Sequence, residues 1–295
     1  MPLAWLWIPI TLWAALAQTV RNAAQRHLVA ELGTLGATLV RFLYGLPFAV
    51  LWLLVVSRIS GASLPAAGAV FVLWVLLGAV SQIAATALLL RTMQERNFAV
   101  GVAYSKTEVL QVAVFALAFL GDPLTLMTAS AVACGTAGVL LLSPLSRNGW
   151  LSKTAALGLA CGAGFALSAV SYRGAALALP QAGFLMAAAA TLVAAQLVQT
   201  LLLGTWLLVR SPAVVARTLK AWRVSTFAGF MGAAASAGWF TAFALEPVAH
   251  VRTLGLVELV FSYAVSRRLF LEKVSRTELA GIALIAAGIA VIVLA

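Results

Sequence analysis

Long apolar runs without a charge dominate the chain: Ile59 to Leu90, Pro123 to Ser146, Thr154 to Tyr172, Gly174 to Val209 and Val224 to Leu245. Each is long enough to supply at least one membrane helix of roughly 20 residues. A transmembrane barrel needs apolar and polar residues in alternation over segments of about ten, and stretches such as Leu77 to Leu90 do not alternate. The pattern predicts an all-α integral membrane protein. Its ten transmembrane helices lie near residues 4–25, 34–56, 67–90, 98–120, 124–144, 154–177, 182–209, 225–246, 250–270 and 278–295, joined by short connections.

The two halves of the chain resemble each other. At an offset of 150, Glu108 meets Glu258, Asp122 meets Glu272, Thr125 meets Ser275 and Gly138 meets Gly288. At an offset of 152, WAALAQTVRNAA (13–24) meets FALSAVSYRGAA (165–176), aligning Arg21 with Arg173. Paired intramembrane acids in one register are hard to obtain by chance. The expected organisation is therefore two five-helix repeats, residues 1–147 and 148–295. Five is an odd number, so the second repeat enters the bilayer in the opposite sense. Inverted repeats of this kind are common among secondary transporters.

Composition narrows the class further. Hydrophobic residues make up 63% of the 295, charged residues 9%, and mean hydropathy is +1.06, against about 25% charged in soluble domains. The net charge of +11 sits mostly between spans, where headgroups and topology account for it, so no nucleic-acid partner is expected. Connections on the side away from the termini carry fourteen Lys and Arg against three on the termini side. The positive-inside rule then places both termini outside the cytoplasm. The N-terminus lacks the basic start of a signal peptide and reads as a retained first helix. Cys134 and Cys161 fall within spans without metal-ligand spacing and read as small buried residues.

Glu108 and Glu258 fall near the middle of the fourth and ninth spans, where a carboxylate is costly and faces a cavity or a partner. Tyr104, Glu108 and Gln111 share a face of the fourth span, and Gly255, Glu258 and Ser262 share one of the ninth. Either acid could alternate between a proton and a substrate, or tie helices together as a hydrogen-bonded group. Lys106 is two residues from Glu108 and, on a regular helix, points to a different face. It would meet an acid on another helix or an anionic substrate. Trp239, with Phe240, Thr241 and Phe243, either lines a pocket or faces lipid. Arg41 reads as snorkelling, and Arg21, Arg173, Arg252 and His250 as groups near helix ends. Asp122, Glu272, Thr125 and Ser275 read as helix-start corners. The small residues around Gly158 to Gly162 and Gly229 to Gly238 permit close helix packing.

The segments TEVLQVAVFALAFLGDPLT (107–125) and VELVFSYAVSRRLFLEKVS (257–275) each resemble the part of an EamA domain in which one acid precedes another by fourteen residues. The following TASAVACGTAGVLLL and ELAGIALIAAGIAVIVL resemble its Gly-containing closing helix. Val109 and Leu259 stand where the family often has Pro. Two such copies imply a ten-span member of the drug/metabolite transporter superfamily, with cytoplasmic termini, contrary to the charge count.

The expected function is secondary active transport, export rather than import, of a small metabolite or amphipathic compound by alternating access in the inner or plasma membrane. Proton coupling would rest on Glu108 and Glu258. Flipping of a lipid-linked sugar and a non-transporting accessory subunit are the alternatives. No phosphate-binding loop or H-E-x-x-H set occurs, so no cofactor and no enzyme activity are expected. The expected partners are a small-molecule substrate and the bilayer, in a monomer or homodimer.

Overall fold

The computed structural model describes residues 5–95, 102, 105–142, 153–270 and 276–294. All regular elements among them are α-helices, with no strand: α1 (Trp7–Leu43), α2 (Leu46–Ser60), α3 (Ala69–Glu95), α4 (Glu108–Leu120), α5 (Leu126–Leu142), α6 (Lys153–Leu177), α7 (Phe184–Arg210), α8 (Pro212–Lys220), α9 (Trp222–Leu245), α10 (Val248–Leu254), α11 (Val257–Phe270) and α12 (Arg276–Leu294). Stretches long and apolar enough to cross a membrane are Trp7–Ser60, Ala69–Gln94, Phe184–Arg210, Trp222–Leu245 and Val248–Val265.

Burial is distributed as lipid requires. Leu126 is 87% exposed, Val209 81% and Leu73 67%, whereas Arg21, Gln25 and Gln199 are completely buried. In water so much outward-facing aliphatic surface would drive association; in hydrocarbon it is the favourable arrangement. The protein is membrane-embedded.

The turn between the first two expected spans is sharper than the sequence pattern suggests. Helix continues to Leu32 and breaks only at Gly33, whose φ of 71° and ψ of 173° belong to a region essentially reserved for glycine. Twelve residues of straight helix span about 18 Å. Yet the Gln25 side-chain amide donates to the Ala37 carbonyl at 2.7 Å, so the chain folds back at Gly33. A second interruption at Tyr44 and Gly45 precedes α2. The amphipathic α8 lies in the basic stretch between the seventh and eighth expected spans, where no element is expected from hydropathy alone.

The chain divides into two compact units, Met1–Ile83 with Ser171–Glu246, and Ala84–Val170 with Pro247–Ala295. Each draws on both sequence halves, and the division falls inside α3 and α6. In the first unit α1 packs along α9, and α7 packs on α1, α2 and α9. Close approach comes from small residues: a Cβ on Gly238 would stand 2.8 Å from that of Ala14. In the second unit α5 packs along α12, and α10 contacts α4, α5 and α12.

The α5–α12 crossing is reciprocal. A Cβ on Gly138 would meet the Gly281 carbonyl at 2.7 Å and Ile285 at 2.7 Å; one on Gly288 would meet the Ala131 carbonyl at 2.8 Å and the Gly135 nitrogen at 3.0 Å. Each glycine thus faces the residues seven and three before its counterpart, at the offset of 150 already read in the sequence.

Candidate functional site

The site begins with two tightened turns. Ahead of α4, Lys106 and Thr107 form a turn, with Thr107 at φ −58° and ψ −14°, and the Val109 N–H donates to the Lys106 carbonyl at 3.2 Å. Ahead of α11, Gly255 and Leu256 do the same, and the Leu259 N–H donates to the Leu256 carbonyl at 2.9 Å. Both are i to i+3 bonds, 3₁₀-like, and such stretches often mark hinges. Residues 106 and 256, and 109 and 259, correspond at the offset of 150. Glu108 and Glu258 therefore stand in the first turns of α4 and α11 rather than midway along unbroken helices. Positive helix ends favour carboxylates there.

The expectation for Lys106 holds in one part and fails in the other. Lys106 meets an acid on another helix, Glu258, as one of the two alternatives had it, but across the tightened turn it also approaches Glu108. Lys106 Nζ lies 2.5 Å from Glu258 Oε2 and 3.4 Å from Glu108 Oε1. Arg252, expected to anchor a helix end, is instead buried on α10, with Nη1 3.4 Å from the same Glu108 oxygen. All four side chains are at most 6% exposed. The acids correspond between the halves, but the cations do not: Leu256 stands opposite Lys106 and Val102 opposite Arg252. Two cations balance two acids, as burial demands.

The quartet is not saturated. Glu108 Oε2 and the buried Ser262 hydroxyl have no hydrogen-bond partner among the described residues. Gln111 donates to the Leu159 carbonyl at 3.4 Å, while its own carbonyl oxygen also lacks a partner among them. Helix α6 closes over the first break through Gly162, whose Cβ would come within 2.6 Å of the Thr107 hydroxyl and 3.0 Å of the Glu108 nitrogen. Cys161 is buried, as expected, and donates to the Ala85 carbonyl at 3.3 Å. Thr125 caps α5 by accepting from the Thr128 N–H at 3.1 Å. The Thr128 hydroxyl in turn meets His250 Nε2 at 2.9 Å. Tyr104, Glu272 and Ser275 lie outside the described residues.

Trp239 belongs to the other unit. Its indole donates to Gln18 Oε1 at 2.9 Å, its ring stacks on Phe243 with centroids 6.0 Å apart, and it is buried. It does not face lipid. Nor do the arginines read as anchors behave as such. Arg21 and Arg41 are buried, at 0% and 2% exposure, and Arg173 donates to the Phe243 and Glu246 carbonyls, both at 2.7 Å. Hydropathy missed these groups because it scores a guanidinium by its cost in lipid and carries no information on the polar interior that receives it. The one available signal was the offset of 152 that pairs Arg21 with Arg173.

No family model matches the chain, and no curated protein sequence matches it. Twenty-six solved chains match its structure. One of them, described as "Crystal structure of protein", aligns over 97% of this chain and 95% of its own with a TM-score of 0.71 at 17% identity. At that identity the likeness is one of fold, and it extends along nearly the whole chain.

Proposed function

We propose that this protein is a secondary transporter that exports a small metabolite or amphipathic compound across the cell membrane by alternating access, driven by protons. The observation that carries this reading is the pair of tightened turns near corresponding positions of the two halves, each ending within two residues of a buried acid, both acids reaching one lysine. Secondary transporters place substrate and coupling-ion sites at discontinuous helices of this kind. The reciprocal glycine crossing of α5 and α12 supports a duplicated, inverted architecture of ten spans. It is the arrangement expected of an EamA-type member of the drug/metabolite transporter superfamily.

Lys106 is the element that couples the two acids. A proton arriving at Glu258 removes the charge that holds Lys106 and leaves the ammonium to Glu108; loss of the proton draws it back. Charge pairing inside a low-dielectric site is worth much more than in water, so one proton changes the relative stability of two arrangements of the tightened turns. The test is uptake into proteoliposomes under an imposed pH gradient, comparing wild type with Glu108→Gln and Glu258→Gln across amino acids, organic cations and nucleobase-like solutes. Gradient-dependent uptake of one class, lost in both variants, is expected. Unchanged uptake by a variant would remove that acid from the mechanism.

A second reading has its own observation. The first unit holds an apolar groove of about 560 Å³ lined by Trp13, Phe48, Leu51, Trp52, Phe230 and Thr241, among others, of which Trp13 and Leu51 are more than half exposed. A groove open towards lipid suits an amphipathic lipid-linked substrate. Reduction of an NBD-labelled, lipid-linked sugar by dithionite separates the readings: protein-dependent access to the inner-leaflet label supports flipping, and its absence leaves soluble solutes.

A further inference from the structure

Helix α8 joins the ends of two spans, Phe184–Arg210 and Trp222–Leu245, and therefore lies at the membrane surface. One of its faces is held by the protein. Val214 and Val215 pack on the cluster of Leu39, Phe42, Leu203 and Leu207, and Thr218 is completely buried. A Cβ on Gly36 would stand 3.0 Å from Val214 Cγ1 and 3.4 Å from the Thr218 hydroxyl. The Tyr44 hydroxyl meets the carbonyls of Thr218 and Leu219 at 3.2 and 3.4 Å, two of the acceptors that a helix end leaves unsatisfied. With that face taken up by α1 and α7, the cations of the segment turn outwards: Arg210, Arg217, Lys220 and Arg223 are all exposed.

No acid among the described residues pairs with any of the four, and the chain has no Asp or Glu between Asp122 and Glu246. Arg217 and Lys220, three residues apart on α8, are neighbours on its surface. Arg223 stands over the Trp222 ring, 5.4 Å from its centroid, a cation–π contact that leaves guanidinium N–H groups for another partner. The segment is apolar as well as basic, because Trp206, Val209, Leu219 and Trp222 are also exposed. Bulk water does not suit the apolar side chains, and hydrocarbon does not suit the charges. The layer where acyl chains give way to headgroups suits both: tryptophan is enriched there, and long cationic side chains reach outwards from it.

We propose that α8, with the flanking Arg210 and Arg223, is a docking surface for the headgroups of anionic phospholipids. The three arginines present planar forks that match phosphate oxygens, and Lys220 adds a point charge. A zwitterionic headgroup brings its own cation, which these four side chains repel; an anionic one does not. The surface therefore selects net charge rather than phosphate alone. An acidic protein would match the charge but leave the apolar neighbours to water, whereas a lipid covers Val209 and Leu219 with its acyl chains while its phosphate meets the cations. The surface is independent of what the protein transports.

The experiment is native mass spectrometry of the detergent-solubilised full-length protein, titrated with phosphatidylglycerol and, separately, with phosphatidylcholine of the same chain length. Wild type is expected to bind phosphatidylglycerol about tenfold or more tightly, since each cation near an anionic headgroup contributes about fivefold in affinity. Arg217→Gln and Lys220→Gln are each expected to weaken phosphatidylglycerol about fivefold, and replacing all four cations by Gln removes the preference. Arg58→Gln, at the exposed end of α2, leaves it unchanged. Should the fourfold variant not fold, the two single variants carry the test. Equal affinity for the two lipids, or α8 variants that bind as wild type does, would overturn the surface. A preference lost equally in Arg58→Gln would reduce it to the net charge of the protein, and would overturn it too. Inorganic phosphate or poly-glutamate displacing the lipid at comparable concentration would overturn the lipid as occupant, in favour of a soluble anion or an acidic protein.

Discussion

At the scale of single residues, Lys106 determines more than any other side chain of the second unit, because it answers two acids at once. Lys106→Met leaves Glu258 buried without its nearest cation, a loss of about 3–5 kcal/mol. The double variant Lys106→Met with Glu258→Gln removes the uncompensated charge and is expected to recover most of that stability. Chemical denaturation in detergent, read as a double-mutant cycle, measures both. Thr125→Ala removes the acceptor that caps α5 and is expected to cost about 0.5–2 kcal/mol by the same assay. Glu108 and Glu258 were legible as buried acids because a carboxylate within an apolar run is conspicuous. Their cations were less so. Lys106 was assigned to another face because a regular helix was assumed through it, and Arg252 stands close enough to a span end to pass for an anchor.

At the scale of elements, glycines decide where helices turn and how closely they cross. Gly33→Ala forces a Cβ into the conformation with φ of 71° and is expected to cost about 1–3 kcal/mol, although no atom lies within 4 Å of that position. Gly138→Ala tests packing instead: the new methyl meets backbone of α12 at 2.7 Å. Separation of the two helices at an expected cost of about 1–3 kcal/mol follows. Gly288→Ala, meeting α5 in the reciprocal way, is expected to cost a similar amount, and a marked inequality between the two in thermal unfolding would argue against a symmetric crossing. The small residues of α9 and of the stretch around Gly162 were recognisable in sequence as contact points. The tightened turns at 106–107 and 255–256 were not, since Lys and Thr at one and Gly and Leu at the other share no turn signature.

At the scale of the whole molecule, the apolar exterior makes a direct prediction. Trp13, Trp206 and Trp222 are about half exposed, whereas Trp239 is 3% exposed and hydrogen-bonded to Gln18. In bilayers containing brominated lipid, single-tryptophan variants retaining Trp13 or Trp206 are expected to be strongly quenched, and one retaining Trp239 weakly. Strong quenching of Trp239 would mean that α1 and α9 do not pack as described. Hydropathy and periodicity by themselves determined that the chain is helical and lives in a membrane, because the cost of charge and unsatisfied backbone in hydrocarbon is set residue by residue. The internal offset likewise marked which positions correspond. Only the tertiary structure decided which polar groups meet. It regroups the halves into units that each draw on both, and brings Arg252 and Lys106 to acids 144 and 152 residues away. Those contacts depend on where helices break and cross, and a breaking turn is stabilised by its neighbours rather than by its own sequence.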